Sequence, residues 1–93
     1  MADDRTIRRR VRAHGRVQGV FFRDSTRGEA AARDVAGWAR NCSDGTVEAV
    51  FEGDPQAVEQ MIAFVREGPG HAAVGRVEVA EEPPEGLSGF EVR

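Results

Sequence analysis

The stretch Gly15-Arg16-Val17-Gln18-Gly19-Val20-Phe21-Phe22-Arg23 sets two glycines around a short loop and places an arginine shortly after it. That combination can hold an oxyanion. Free main-chain N–H groups of a loop and of a helix start converge on phosphate oxygens, the helix dipole favours negative charge there, and glycine lets the backbone approach closely. Arg23 adds a planar fork of donors that matches two oxygens of a phosphate at once. A second reading fits the same residues, since glycine-bounded turns with an arginine nearby occur in proteins that bind no anion. The residues alone leave both open. Gln18, inside the loop, either touches a ligand or braces the loop.

Other reactive side chains have plainer explanations. Cys42 is the only cysteine, and phosphatases that use a thiol set Cys and Arg in one C-x5-R loop, whereas Arg23 lies nineteen residues before Cys42. A free thiol at a hairpin edge is expected. His14 and His71 lie far apart without a spaced carboxylate or thiolate cluster, so no metal site is expected. Asp54 and Glu59 suit a helix cap and a solvated helix face. Trp38, Phe21, Phe22, Phe51, Phe64 and Phe90 are expected in the core, with Trp38 placed to edge a pocket as the alternative.

The elements that must position this loop follow from periodicity. Residues 6–14 alternate, with Ile7, Val11 and Ala13 on one side and Arg8, Arg10 and Arg12 on the other, as in a half-buried strand. After the loop, Phe21 to about Arg33 reads as a helix, with Gly28 costing it roughly 1 kcal/mol relative to alanine. Val35–Asn41 and Thr46–Glu52 read as two strands joined by the Cys42-Ser43-Asp44-Gly45 turn, with Val47, Ala49 and Phe51 on one face. Asp54-Pro55 supplies an N-cap and a first-turn proline for a second helix, Val58, Met61, Ile62 and Val65 make its apolar stripe, and Gly68-Pro69 stops it. Residues 74–79 alternate as a fourth strand, a Glu/Pro stretch at 81–86 bends away, and Phe90-Glu91-Val92 makes a short fifth. The order β-α-β-β-α-β predicts an α+β, ferredoxin-like split βαβ fold with two helices on one face of an antiparallel four- to five-stranded sheet.

With 93 residues there is room for one domain over 1–93, with residues 1–5 expected to be flexible. All thirteen Lys+Arg residues are arginine, and the absence of lysine and tyrosine removes both as nucleophiles or proton carriers. The net charge of −3 is uneven: residues 1–16 hold six Arg against two Asp, and 17–93 hold seven Arg against fourteen acids. An RNA-recognition module of this fold would stack bases on aromatics in its first and third strands. The first strand has no aromatic and the chain is acidic, so no nucleic-acid partner is expected. The lack of an apolar leader or long apolar run points to the cytoplasm and to no membrane partner, and the Asn41-Cys42-Ser43 sequon carries no meaning on that route.

GRVQGVFFR resembles the signature of the acylphosphatase family, and Gly37-Trp38-Ala39-Arg40-Asn41 followed by Asp44-Gly45-Thr46-Val47-Glu48 resembles its second element. Similarity continues through Glu52-Gly53-Asp54-Pro55, Gly68-Pro69 and Val77-Glu78-Val79 to Phe90, which covers essentially residues 7–93. The resemblance implies hydrolysis of the carboxyl-phosphate bond of acyl phosphates, of acetyl, carbamoyl or glyceroyl type, to a carboxylate and inorganic phosphate. It implies that Arg23 anchors the phosphate, that Gly15, Arg16, Val17, Gln18, Gly19 and Val20 bind it through the loop, and that Asn41 orients the attacking water. No metal or cofactor is required, and a monomer is the default. Two departures stand out. Arg33-Asp34-Val35 replaces the usual Leu-Gly-Leu, putting an aspartate where a left-handed glycine is expected, and Ala39 takes a place more often held by valine. A related domain that binds acyl phosphates without turnover is the remaining alternative, disfavoured by the presence of both Arg23 and Asn41.

Overall fold

The computed structural model describes residues 5–93, and the expectation of a flexible start falls mostly on residues outside that range. Seven elements follow in the order β1 (Ile7–Arg16), α1 (Phe22–Ala32), β2 (Ala36–Asn41), β3 (Val47–Gly53), α2 (Pro55–Glu67), β4 (Ala73–Glu82) and β5 (Phe90–Val92). They form a five-stranded sheet with strand order β4-β1-β3-β2-β5. The expected fold is present, with one correction to the sheet. β5 pairs parallel with β2, Gly37 opposite Phe90, so the sheet is mixed and not wholly antiparallel. The chain direction forces this: β4 runs antiparallel to β1, the next reversal returns the chain along the direction of β2, and β2 owns the free edge.

Cross-strand register sets the two faces. Val11 lies opposite Ala49 and Ala49 opposite Ala39, and Ala13 lies opposite Val47, so these side chains share the helix-bearing face. They close a core with Phe22 and Ala30 of α1 and Val58, Met61, Ile62 and Val65 of α2. α2 is defined as expected: the Asp54 carboxylate accepts from the N–H groups of Gln56 and Ala57, Pro55 fills the first turn, and Gly68 closes the end with a left-handed φ of 90°.

The opposite face differs from expectation. Arg8 alternates onto the side opposite Ile7, Val11 and Ala13, the side that a half-buried strand leaves to solvent, yet it is only 2% exposed, as is Glu52. The two pair at 3.0 Å, and Arg8 also reaches Glu82 at 2.9 Å. Arg10 joins Glu82 at 2.6 Å to Glu48 at 3.0 Å, and Arg40 approaches Glu48 at 2.7 Å. Arg10 and Arg8 together pull the Glu82 carboxyl down to about 2. Burial pushes Glu48 up, but hydrogen bonds from Arg40 and Arg10 outweigh it and hold that carboxyl below its usual range. Burial likewise opposes ionisation of Glu52, which is held low by the N–H groups of Glu85, Leu87 and Gly86 and by Arg8. Those three N–H groups lie 2.8–3.2 Å from the Glu52 oxygens, so this carboxylate ties down the segment that carries the chain from β4 to β5.

Trp38 is buried, as expected, but not beneath the helices. It lies opposite Val50 and is outside the helix-side core, covered on the helix-free face by the guanidinium groups of Arg93, Arg10 and Arg40 at 4.6, 5.5 and 5.7 Å from its ring centroid. Asp34 adopts φ 57°, so the aspartate does occupy the left-handed position where glycine was expected. Among the described residues no helix is long and apolar enough to cross a membrane.

Candidate active site

β1 runs two residues further than its alternation indicated, which moves Gly15 and Arg16 out of the loop and into the ladder, opposite Val74 and Ala73. The register shifts between His14 and Gly15, and Gly15 carries φ 125° there; a Cβ would collide with the carbonyl oxygen of Ala73. This bulge turns the chain off the sheet into the loop at Val17. Gly19 then needs its left-handed φ of 72°, and no heavy atom lies within 4 Å of where its Cβ would stand, so the glycine serves the turn and leaves open space above it.

Among the described residues, the main-chain N–H groups of Val17, Gln18, Gly19 and Val20 donate to no main-chain acceptor. α1 begins without a side-chain cap, so its first-turn N–H groups are unsatisfied as well. Val17 and Val20 are buried and anchor the loop from below. The Val20 carbonyl accepts from the His71 N–H at 3.3 Å, which fixes the far side of the loop to the turn after α2.

Arg23 projects from the first turn of α1. Its Nη1 donates to the main-chain oxygen of Arg93 at 2.7 Å, which orients the guanidinium, and no Asp or Glu side chain pairs with it among the described residues. Asn41 is the last residue of β2, opposite Val47 on the helix-bearing face, and it is exposed. Its side-chain amide has no partner among the described residues. Arg23 and Asn41 line one cleft of about 270 Å³ together with Val17, Gly19, Phe21 and Asp24. The fold therefore gathers the helix start, the loop and the end of β2, which the chain separates by eighteen residues.

The role of Gln18 is resolved by geometry. Its Nε2 donates to the carbonyl oxygens of Cys42 and Thr46, both at 2.8 Å, so it braces the loop against the hairpin that carries Asn41. The turn is itself stiffened. The Thr46 hydroxyl and N–H donate to Asp44 Oδ1 at 2.6 and 3.0 Å and hold the Asp44 carboxyl below its usual range, while Arg12 Nη1 donates to the Thr46 hydroxyl at 2.9 Å. Thr46 and Arg12 escaped the sequence reading because each acts through a partner more than thirty residues away or through a turn; the Asp-x-Thr spacing was the one local sign.

Phe21 is also placed differently from its sequence assignment. It is neither helical nor in the core: it is the N-cap of α1, holds φ 61° and ψ 23°, and is 68% exposed. A left-handed conformation costs a Cβ-bearing residue about 1 kcal/mol. Cys42 is a half-buried free thiol at the hairpin edge, as expected, and neither histidine lines the cleft.

The family model described as acylphosphatase matches residues 9–92. The chain is 58% identical to an acylphosphatase of Rubrobacter xylanophilus over 95% of its own length and 81% of that relative. It is 56% identical to one of Thermococcus kodakarensis over 92% and 94% of the two chains. Among solved structures it resembles an acylphosphatase from Coxiella burnetii with a TM-score of 0.91 and 37% identity over the whole of both chains, and one from Bacillus subtilis with a TM-score of 0.90 and 35% identity over 94% and 98%.

Proposed function

The chain belongs to the acylphosphatase family and is an enzyme of acyl-phosphate hydrolysis, and from that premise we propose that it acts by direct in-line attack of a water held by Asn41 on a phosphoryl group held by Arg23 and the loop amides. An acyl phosphate carries its own good leaving group, a carboxylate, so no strong acid, metal or covalent nucleophile has to be supplied. Positioning and charge stabilisation suffice. The N–H groups of Val17–Val20 and of the first turn of α1 receive the equatorial phosphoryl oxygens, with Gly15 and Arg16 setting where the loop leaves the sheet. Arg23 adds a charged fork, held in place by its bond to Arg93. Asparagine is no base at neutral pH, so Asn41 orients water through its amide and takes no proton; the proton leaves with product phosphate or solvent. Gln18 is a positioning residue that fixes the loop relative to Asn41.

The observation that carries this reading is the convergence of unpaired N–H groups, an arginine that no Asp or Glu side chain pairs and an unpartnered asparagine amide on one cleft, among the described residues. We further propose that residues 1–93 act as one domain and as a monomer in the cytoplasm, on acetyl, carbamoyl or glyceroyl phosphate or their analogues. The decisive experiment is hydrolysis of benzoyl phosphate in excess chelator, with an alkyl phosphate monoester as control. Turnover of the acyl phosphate alone is expected; strict dependence on added divalent metal would overturn the mechanism.

A further inference from the structure

The cleft described above accounts for the phosphoryl group and leaves the acyl group without a partner. Of the apolar side chains that line it, Val17 and Phe22 are 1% and 2% exposed and offer a ligand almost no surface. Phe21 is 68% exposed and lies on the same cleft as Arg23 and Asn41. Apart from Val79 it is the only large hydrophobic side chain exposed among the described residues.

A single exposed phenyl ring needs no explanation by itself. Phe21 combines exposure with a left-handed backbone that glycine or asparagine would adopt more easily, and its backbone is fixed from two sides. Its carbonyl accepts from the Ser25 N–H at 3.0 Å, and the His71 N–H donates to the preceding carbonyl of Val20 at 3.3 Å. The ring is thus displayed at the rim by a rigid support, next to the groups that would hold the phosphate.

We propose that the Phe21 ring is the acyl subsite of this enzyme and selects acyl phosphates whose acyl group presents a flat apolar face, aromatic ones above all, over acetyl and carbamoyl phosphate. The proposal rests on the functional reading given above. With the phosphoryl group seated on the loop amides and Arg23, the acyl group must leave the cleft past its rim, where the ring supplies apolar area and an aromatic face for stacking. Substrates with a small polar acyl group gain nothing from it.

The test compares kcat/KM for benzoyl and acetyl phosphate in the wild type, Phe21→Asn and Phe21→Tyr. Asparagine suits the left-handed backbone and removes the ring; tyrosine keeps it. Comparing the benzoyl-to-acetyl ratio between proteins cancels the intrinsic reactivity of the two substrates. We expect the ratio to fall about tenfold in Phe21→Asn, equivalent to ~1.4 kcal/mol, mainly through the KM for benzoyl phosphate, and to be kept in Phe21→Tyr. Non-hydrolysable benzoylphosphonate should likewise inhibit the wild type about tenfold more tightly than acetylphosphonate, a measurement that does not depend on any variant folding. An unchanged ratio in Phe21→Asn, equal inhibition by the two phosphonates, or a parallel loss on both substrates with weakened inorganic phosphate inhibition would each overturn the subsite while leaving hydrolysis by the wild type intact. A wild type that hydrolyses neither substrate would instead overturn the functional reading, and the subsite with it.

Discussion

Two regions of this molecule are built from arginines, and they differ in what those arginines face. On the helix-free side of the sheet, Arg8, Arg10, Arg12 and Arg40 meet Glu48, Glu52, Glu82 or Asp44 at 2.6 to 3.4 Å, so cation and carboxylate are matched. At the end of the other face, Arg23 meets no Asp or Glu side chain among the described residues, only the main-chain oxygen of Arg93, beside loop N–H groups that have no main-chain acceptor. An abundance of basic side chains therefore does not mark the anion site. A local deficit of acceptors does, because only donors left unsatisfied by the protein gain by meeting an incoming anion.

The strongest way to break this contrast is to exchange the same residue type on both sides. Arg23→Lys keeps the charge but loses the fork, and kcat/KM for an acyl phosphate should fall by about two to three decades, the scale of a lost donor in a pre-organised site. Inorganic phosphate should inhibit the variant more weakly. Arg40→Lys, at a half-exposed pair of the matched face, should change kcat/KM by no more than about twofold. Equal effects of the two substitutions would abolish the distinction.

Asn41→Ala separates holding the phosphate from using it. Inhibition by phosphate should persist while kcat falls by about two decades or more, corresponding to roughly 3–4 kcal/mol of lost positioning. A thermal melt must accompany the assay, since Asn41 borders the hairpin turn. Near wild-type turnover in a folded variant would assign the water to another group.

The matched face should reveal itself in acid. Glu82, Glu48 and Glu52 all have folded-state values below their ordinary 4.5, Glu82 at about 2. Depressed carboxylates contribute stability that is fully present above 4.5 and lost as pH falls through the folded values. Melting temperatures taken from pH 6 downward should therefore hold until about pH 4.5 and then decline toward pH 2. A flat profile across that window would show that the ion pairs add nothing net.

The smallest effect belongs to a position in neither region. Asp34 holds φ 57° after α1, and Asp34→Gly should relieve strain by about 0.5 kcal/mol, roughly 3 °C in melting temperature. Turnover should be unaltered, read in the same acyl phosphate assay.

Alternation in β1 and β3, the Asp54-Pro55 cap, the Asp44-Gly45 turn and the Gly15–Arg23 loop were legible because each is a local rule, in which a residue's own backbone preference or the period of its neighbours decides the structure. The same locality explains the left-handed Asp34. Burial of Arg8 and Glu52 was illegible, because a charged residue in an alternating strand looks solvated until a partner from β3 or β4 is brought across it. Trp38 was legible as a buried aromatic but its face was not: either face of β2 could have taken it, and Arg10 of β1, Arg40 of β2 itself and Arg93 just after β5 cover the face that it took.

By itself the sequence determined the βαββαβ order and the loop with Arg23, since these depend on residue type and spacing along the chain, while Asn41 entered as its partner only through the resemblance to the acylphosphatase family. Tertiary structure alone decided the parallel edge strand β5, the brace from Gln18 to the hairpin, the tether from Glu52 to the crossing segment and the outward display of Phe21. Each of these depends on which distant segments arrive side by side, and hydrogen bonds and charges act over a few ångströms of space, whatever their separation in sequence.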